Sequence, residues 1–576
     1  MPMSVLTRDE VLERVRTAQR QGHPVEMPGA DMRGLALVNI DLRNANLSRA
    51  ILAKADLRYA SLQGANLRGA VLDEADVSGA DLAGADLTGA NLVKAMFTDA
   101  ILLHAILREA QLTRARLVGA NCEGIDLFSA KLDDADLSRA CIKLGDLRCA
   151  DATGANFGGA TLNGADAREA NLSLAFFEGA SFGSPLRDDA IKLRGANMEA
   201  AKMQGVDLSG FQLSGLRCKD ADFTNASLRS ADLSRAILIG ARLNLADLTK
   251  VNLRGADLTG ANLRNTILTG ADLSGAKLDN VNQDQGLSDL AYGAPRASRL
   301  MLDGAIMHGA SLTFAELNGA NLIGANLSGA NLDNAQLGRA TLTRANLRRA
   351  SLKKTQMSYS VLQQADLRGA SLGSPEDSTV VLMRYSDLAG ANMSRLNMSI
   401  IDLTGITFVG TVFRGATLAG VNLGRAKLSG ADLSRAILDG AVLTEADLSG
   451  AILTDANLTN ANLRKSNMRG VLSEANPSRS VCAVMRGADL RNADLTNARL
   501  AKTDLTGAML MKAVFHETDL TGSVLNGANL RATDMRRSIL VDCKKNRTKT
   551  LFARMPQVPM RERLKNVFGL RRARAS

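Results

Sequence analysis

An apolar residue recurs at every fifth position over most of this chain, and this period limits the possible folds more than any other feature. In the stretch GADLAGADLTGANL, residues 79–92, the recurrent residues are Leu82, Leu87 and Leu92. An α-helix returns to the same face about every 3.6 residues and a β-strand every 2, so neither element keeps these leucines on one side. The period therefore predicts a repeat architecture and not a set of ordinary domains.

Each repeat has the same five positions. They hold a small Ala, then Asp or Asn, a central Leu, a polar residue, and often Gly or Arg, as in Ala45–Arg49. We count 94 such repeats in the 576 residues. Aromatic residues make up only 3% of the chain and Trp is absent, which argues against a conventional large core with aromatic anchors.

A period of five fits one side of a square coil. Three extended residues span roughly 10 Å, and two more turn the chain by a corner. Four sides close a square that encloses four leucines, and the next coil stacks on it at about 4.8 Å through backbone hydrogen bonds. Gly eases the turn, and an Asp or Asn side chain can bond the nearby backbone at a tight corner. The pattern predicts an all-β solenoid.

The A(D/N)LXX unit resembles the pentapeptide repeat family, and the resemblance covers roughly residues 30–540. It implies a right-handed quadrilateral parallel β-helix with four repeats per coil, and 94 repeats would then form about 23 coils. Ala152 and Ala167 occupy central positions and predict thin packing there. Cys122 and Cys218 also stand where the family has Leu.

Four interruptions divide the repeats. SFGSP at 181–185 and SLGSP at 371–375 share an eleven-residue jump between centres, which fits either an internal duplication or two similar loops. We predict an N-terminal helical cap at 1–29, and β-helix blocks at 30–182, 193–279, 300–372, 383–469 and 485–540. Loops are predicted at 183–192, 280–299, 373–382 and 470–484, and a basic tail at 541–576.

The two ends of the solenoid are expected to be covered, because open coil edges pair with other chains. TRDE at 7–10 is a capping box, and residues 7–21 read as a short helix that is a cap or a partner-binding element. The C-terminal helix predicted in the tail has one apolar face, formed by Met560, Leu564, Val567 and Phe568. It could be a cap or homo-oligomer contact, a binder of anionic surfaces, or part of a disordered tail.

The positive charge of the chain is concentrated in residues 544–576. This segment has eleven Lys and Arg against one acid, Glu562, while the whole chain has a net charge of +11. The first 543 residues are therefore almost neutral. A basic amphipathic segment of this kind can contact an anionic membrane or nucleic acid.

No grouping of residues suggests catalysis, and we predict no catalytic, cofactor-binding or metal site. The six Cys are scattered without CxxC spacing, the four His lie far apart, and GxxxxGK[ST] is absent. No signal peptide and no apolar run of about eighteen residues is visible, which predicts a cytoplasmic protein, with peripheral membrane association as the variant.

Two arrangements of side chains are candidates for binding. A column twenty residues apart, Arg108, Phe128, Arg148 and Arg168, could face an anionic chain, although nearby acids would neutralise it. The candidate interaction residues are a belt around one coil, Arg339, Arg344, Arg348, Arg349, Lys353 and Lys354, and the tail residues Lys544, Lys545, Arg561, Arg563, Lys565, Arg571 and Arg572. For both arrangements, solvated surface charge is the alternative interpretation.

The sequence thus predicts a non-enzymatic scaffold that presents faces and loops to an unidentified protein partner. The alternative is association with a membrane surface or nucleic acid through the tail. A third possibility comes from the resemblance, since some pentapeptide repeat proteins are proposed to protect DNA gyrase by imitating duplex DNA. That role needs a dense negative surface, which a nearly neutral repeat region does not supply.

Overall fold

The chain forms two compact units, unit 1 (Met1–Glu316) and unit 2 (Leu317–Ser576). The structure is a computed structural model, and the residues it describes are 5–282, 300–373, 380–399, 401, 403, 405–469, 471–473, 476–481, 483–551 and 553–555.

Both units consist of coils joined by isolated parallel β-bridges. In unit 1 the bridges typically join residues twenty apart, such as Asn46 and Asn66. Unit 2 has the same spacing, for example between Thr341 and Val361. Twenty residues are four repeats, so each turn of the coil has four sides, as the five-residue period predicts.

The hydrogen bonds of one repeat show why five residues suffice. In Ala45–Arg49, the amides of Asn46, Leu47 and Arg49 donate to carbonyls of the neighbouring coils at 2.8 Å, and the amide of Ala45 donates across the preceding turn. The remaining amide, that of Ser48, donates to the side-chain oxygen of Asn46. The Asp or Asn before each Leu therefore supplies the acceptor for the one backbone amide that has no carbonyl partner in a neighbouring coil or turn.

The corners of the described coils are four-residue turns with the third residue in the left-handed region. Ala50 donates to the carbonyl of Leu47 at 3.0 Å across such a turn, and Arg49 at its third position has φ 58°. Gly84 occupies the same position with φ 65°. Gly suits this geometry best, yet many corners hold other residues, which leaves the corner free to carry a functional side chain.

The core of each coil is lined by the central Leu and by the Ala two residues before it. Leu47 and Ala45 are both fully buried, as are their counterparts along both units. Burying one Leu contributes about 1.5–3 kcal/mol, so the stacked leucines are the main stabilising element. No single coil could bury them, because its leucines need the coils above and below.

Ala152 and Ala167 share their coil with a large aromatic side chain. Both alanines are buried in a coil that also contains Phe157, which is completely buried. The ring of Phe157 stacks on that of Phe177 in the next coil, with centroids 5.1 Å apart and planes 3° apart. The thin packing expected at the two alanines stays a prediction.

Helix α1 spans Arg8–Gln21 and closes the first coil of unit 1. The capping box is present, because the Thr7 side chain accepts from the Glu10 amide and the Glu10 side chain accepts from the Thr7 amide. Gly22 ends the helix with φ 67°. The helix packs through Val11 and Val15, which are buried.

Two side-chain contacts tie α1 to the coils. Arg8 Nε donates to the carbonyl of Ala36 at 2.9 Å, and Gln19 Nε2 donates to Asp41 Oδ2 at 3.1 Å. The bridge between Val5 and Asp31 adds a strand residue ahead of the helix. These contacts describe a helix docked on the end of the solenoid.

Inserted segments loop out of the coils, and the coils on either side of them still stack on each other. In unit 1, Asp166 pairs with Lys192, 26 residues later, so six residues loop out and the next centre returns to its column. The loop contains a 3₁₀ turn, Pro185–Arg187, and the Asp189 side chain accepts from the Ser184 amide at 2.7 Å. In unit 2 the bridge from Gln356 to Leu382 has the same span.

The other two interruptions are longer. In unit 1, Ile267 pairs with Met301, 34 residues later, and residues 283–299 between them lie outside the described part. In unit 2, Ile452 pairs with Val484, 32 residues later. That insertion contains a two-stranded antiparallel hairpin, β1 (Val471–Ser473) and β2 (Asn476–Val481), where the sequence predicted only a loop.

The boundary predicted at residue 540 was wrong, because the coils continue into the basic segment. Lys544, Lys549 and Arg554 form bridges with residues of the preceding coil. Lys545 and Thr550 occupy central positions, so the leucine pattern that guided the prediction fades. Backbone hydrogen bonds hold this coil without it, since they need no particular side chain.

Gly183 offers a test of the loop geometry. It has φ 80°, and a Cβ there would overlap the backbone carbonyl of Asp189. Gly84 also has positive φ, but a Cβ there would meet nothing within 4 Å. We expect Gly84→Ala to cost about 1 kcal/mol from backbone strain, and Gly183→Ala about 1–3 kcal/mol more from the overlap.

The measurement is the denaturant-induced unfolding of each variant, with hydrogen exchange at the Gly164 amide as a local probe. That amide donates to the Asp189 carbonyl, so Gly183→Ala should speed its exchange and Gly84→Ala should not. Equal effects of the two substitutions would show that the loop is not held against the coil at Gly183.

Candidate interaction surfaces

Three of the five positions in a repeat face outward and are available for binding. They are the Asp or Asn position, the polar position after Leu, and the corner. Because coils stack every twenty residues, equivalent positions form columns along each unit. An insertion shifts the residue numbers along a column. The column itself continues, because the chain returns to the same corner after the insertion.

The belt predicted from the sequence lies around one coil of unit 2. Arg339, Arg344, Arg349 and Lys354 occupy successive corners with φ values of 59°, 60°, 58° and 56°. They therefore point away from the coil in different directions. The structure does not bring all four together at one site, and a ligand that contacts one corner cannot contact the opposite one.

Little of the belt's charge is neutralised. Arg348 Nε is 4.0 Å from Asp366 Oδ2, and Arg344 Nε donates to Gln364 Oε1 at 3.2 Å. Within the part of the chain that the structure describes, Arg339, Arg349, Lys353 and Lys354 form no ion pair. The belt is therefore a source of positive potential, with its charge spread over four sides.

The column of Arg108, Phe128, Arg148 and Arg168 does assemble in unit 1. The Arg108 and Arg148 guanidinium carbons lie 5.8 and 5.6 Å from the Phe128 ring centroid. Each arginine also binds a carboxylate, in the pairs Arg108–Asp126 (2.5 Å), Arg148–Asp146 (2.6 Å) and Arg168–Asp166 (2.6 Å). The positive charges of these three arginines are thus neutralised by carboxylates of the protein itself.

These ion pairs change the protonation of the acids. The Arg148 guanidinium, hydrogen bonded to Asp146, holds the pKa of that carboxyl below its ordinary value. The same pair raises the pKa of Arg148, again chiefly through the hydrogen bond to Asp146. The column is therefore a chain of satisfied pairs that stabilises the face, and it offers an anionic ligand little free charge.

One surface was missed by the sequence reasoning. Tyr359 and Tyr385 stack on the same corner of unit 2, with ring centroids 5.2 Å apart and planes 16° apart. They are 57% and 55% exposed. The two residues are 26 positions apart, so a search at multiples of twenty does not align them. The shared eleven-residue jump at SLGSP was the only sequence signal that could have done so.

The tail candidates fall into two groups. Lys544 and Lys545 are exposed residues of the last coil that the structure describes. The remaining candidates lie outside the described residues, and they are Arg561, Arg563, Lys565, Arg571 and Arg572.

The described residues offer little for chemistry. They contain no group of three or more His, Cys, Asp or Glu that could hold a metal ion. Burial raises the pKa of the Cys122 thiol to about 12, so it stays protonated and unreactive. The Cys218 thiol is equally buried, and its pKa is raised for the same reason.

Among the described residues, each unit has an open groove. A groove of about 540 Å³ lies between α1 and residues 23–26, and a groove of about 610 Å³ lies beside the Arg469–Asp519 ion pair. Both are shallow and open to solvent. In the stretches covered by the structure, no helix is long and apolar enough to cross a membrane.

The repeats place this chain in a known family. The family model described as pentapeptide repeats (8 copies) matches successive segments between residues 27 and 544, which together make up well over half of the sequence. The chain belongs to the pentapeptide repeat family, as predicted from the A(D/N)LXX unit. Proteins of this family form right-handed quadrilateral β-helices, in agreement with the twenty-residue bridges of both units.

Solved structures of this family resemble parts of the chain. HetL of the cyanobacterium Nostoc sp. strain PCC 7120, described as involved in heterocyst differentiation regulation, is 25% identical over 59% of this chain and 87% of its own (TM-score 0.12). Full-length QnrB1, a plasmid-mediated fluoroquinolone resistance protein, is 19% identical over 32% and 91% (TM-score 0.17).

Rfr23 of the cyanobacterium Cyanothece 51142 is 30% identical over 18% of this chain and 63% of its own, with a TM-score of 0.12. At TM-scores this low, the overlays say nothing about the arrangement of the present chain. No curated protein matches the sequence.

Substituting Asp146 can separate the two roles of the acidic side chain that precedes the central Leu of a repeat. Its Oδ1 accepts from the Arg148 amide at 3.0 Å, and Arg148 Nη2 binds its Oδ2 at 2.6 Å. Asn keeps the amide acceptor and loses the charge, whereas Ala loses both. At pH 7 we expect Asp146→Asn to lower the free energy of unfolding by less than about 1 kcal/mol, and Asp146→Ala to lower it by about 1 kcal/mol more.

The pH dependence follows from the lowered pKa of Asp146. The ion pair stabilises the fold fully above the unfolded pKa of about 4, and this contribution is lost as the pH falls through the lower native pKa. Denaturant titrations should therefore show the deficit of Asp146→Asn disappearing in acid, while that of Asp146→Ala persists. If the two variants unfold alike at pH 7, the amide hydrogen bond contributes nothing.

Proposed function

We propose that this protein is a non-enzymatic, protein-binding scaffold whose main contact surface is the tyrosine corner. We define the tyrosine corner as Arg339, Tyr359, Leu382 and Tyr385. The observation that carries the proposal is the pair of stacked tyrosines, each more than half exposed on a rigid β-helix.

The residue types of this corner favour a protein partner. Tyr and Arg are enriched among residues that dominate the binding energy of protein interfaces. Leu382 adds an apolar side chain that is 49% exposed beside the rings. Arg339 occupies the same corner one coil before Tyr359, and among the described residues it forms no ion pair.

The corner is also preorganised. The Tyr385 ring lies over Gly405 in the next coil, where a Cβ would approach Cδ1 of the ring to 2.8 Å. Gly405 thus leaves room for the ring to rest against the backbone. Side chains that are fixed before binding lose little conformational entropy in the complex, so each contact contributes more to affinity.

The charge of the surroundings indicates what kind of protein surface would fit. Residues 336–339, 354–359 and 381–385, which form this face and its corner, contain no Asp or Glu. They contain the cations Arg339 and Lys354, which form no ion pair with any residue that the structure describes. A partner with an apolar patch bordered by acidic side chains would complement them.

Substituting both tyrosines tests the proposal. We expect Tyr359→Ser with Tyr385→Ser to lower the recovery of the main partner at least tenfold, measured by affinity capture from native cells with quantitative mass spectrometry. The basis is that truncating an aromatic hot-spot residue typically costs 2 kcal/mol or more. The double variant should unfold as the native protein does, since both side chains are exposed.

The matched control is Tyr59→Ser. Tyr59 is a corner tyrosine of unit 1, 65% exposed, and its ring lies over Gly79 as that of Tyr385 lies over Gly405. Capture should be unchanged in this variant. If the control loses the same proteins, or if the double variant loses none, the tyrosine corner is not the contact surface.

A second candidate function is association with an anionic membrane or nucleic acid through residues 544–576. The exposed cations of the last described coil, which include Lys544 and Lys545, support it. Replacing Arg561, Arg563, Lys565, Arg571 and Arg572 by Gln in the full chain should weaken binding to phosphatidylserine vesicles or to duplex DNA at least tenfold. Unchanged binding to both would remove this candidate.

Further features stay predictions. These are the count of about 23 coils, the amphipathic C-terminal helix, a homo-oligomer formed through that helix, and a cytoplasmic location. Imitation of duplex DNA has the least support, because many of the acids that would form its negative surface are bound by arginines, as in the pairs Arg148–Asp146 and Arg368–Asp366.

A further inference from the structure

One corner of unit 2 carries arginines on alternate coils. Successive coils place Arg349, Gly369, Arg395, Gly415 and Arg435 at this corner. The amide of Arg349 donates to the carbonyl of the residue before Gly369, and the amide of Arg395 to that of the residue before Gly415. We call Arg349, Arg395 and Arg435 the arginine edge.

The glycines explain how these side chains are held. A Cβ on Gly369 would lie 3.5 Å from Cγ of Arg349, and a Cβ on Gly415 would lie 3.7 Å from Cγ of Arg395. The aliphatic stem of each arginine therefore lies along the corner of the following coil. Its guanidinium group is left at the outer rim of the solenoid.

Two of the three arginines of the edge keep their charge unpaired. Within the described ranges, Arg349 and Arg395 take part in no ion pair, and Arg435 Nε is 4.0 Å from Asp455 Oδ2. The acids on the neighbouring face are already bound, Asp366 by Arg368 and Asp432 by Arg414, both at 2.6 Å. Three further cations adjoin the edge in the coil of Arg349, namely Arg348, Lys353 and Lys354.

The shape of the edge restricts its partner. It is a convex corner, and neighbouring arginines are two coils, or about 9.6 Å, apart. A nucleic acid strand has phosphates at fixed and closer intervals, and it binds best in a groove that follows its backbone. A lipid bilayer is flat, and its anionic headgroups diffuse laterally, so they can gather beneath cations of any spacing.

We propose that the arginine edge rests on the anionic surface of a lipid bilayer. Clusters of four to eight Lys and Arg are typical of protein segments that bind anionic lipid headgroups. The three arginines of the edge with Lys353 and Lys354 reach that size. This surface is separate from the predicted basic tail and from the tyrosine corner.

The position of the arginine edge relative to the tyrosine corner decides whether that corner stays accessible when the edge lies on a membrane. In the coil of residues 336–355, Arg339 and Arg349 occupy opposite corners of the square, because one corner, that of Arg344, lies between them along the chain. A unit 2 that lies on a membrane along the arginine edge therefore turns its tyrosine corner away from the lipid. Both surfaces can be occupied at once.

The test is sedimentation of the full chain with vesicles of phosphatidylcholine containing about a third phosphatidylserine. We expect the combined Arg349→Gln, Arg395→Gln and Arg435→Gln substitutions to weaken the partition constant at least tenfold, since three of the cations that attract the anionic headgroups are removed. Binding of the native chain should fall with salt and be absent on phosphatidylcholine alone.

The matched control replaces three corner cations that share neither the column of the edge nor the tyrosine corner. Arg344→Gln, Lys502→Gln and Lys512→Gln change the net charge equally, and all three are corner residues with positive φ. This control should bind within about threefold of the native chain. Thermal unfolding of both variants checks that each is folded.

Three results would overturn the proposal. Equal loss in the two variants would show that only net charge matters, and no loss in either would assign all vesicle binding to other residues such as the tail. The third is a loss that the edge variant shows towards duplex DNA but not towards vesicles. The edge variant keeps the tyrosine corner intact. Affinity capture of protein partners by this variant therefore tests the tyrosine corner independently of membrane binding.

Discussion

The hydrogen bonds between coils are the interaction on which the rest of the structure depends. In the repeat Ala45–Arg49, three of five amides bond to neighbouring coils and one to the preceding turn. The fifth is satisfied by the Asn46 side chain. A repeat shorter or longer than five would leave amides unpaired or move the Leu off the inner wall, so the length of the repeat and its Asp or Asn follow from the same requirement.

This backbone framework makes the fold tolerant of its side chains. Central positions of one coil hold side chains as different as Phe157 and Ala152, and buried hydroxyls such as that of Thr411 bond to a turn carbonyl, here that of Leu388 at 2.8 Å. The last described coil still forms although Lys545 and Thr550 replace leucine at its central positions. Insertions of different length can loop out at a corner because the backbone bonds resume immediately beyond them.

The same framework separates stability from binding. Inner positions are committed to the core, whereas corners accept almost any residue and repeat along a column. Where a corner side chain is followed by Gly one coil later, it is laid along the backbone, as Tyr385 is over Gly405 and Arg395 is over Gly415. The tyrosine corner and the arginine edge are two uses of this one device, on opposite corners of the square.

The sequence by itself determined the repeat, the square coil, the N-terminal capping box and the family, because each depends on residues within one or two repeats of each other. It also located the belt of Arg339–Lys354 on successive corners. The tertiary structure decided which distant residues share a corner. Tyr359 meets Tyr385, and Arg349 aligns with Arg395, only because six residues loop out between them and the backbone pairing then returns each chain segment to its column. The eleven-residue jump between centres fits two repeats with one extra residue as well as one repeat with six extra residues, and only the pairing of the stacked coils decides between them.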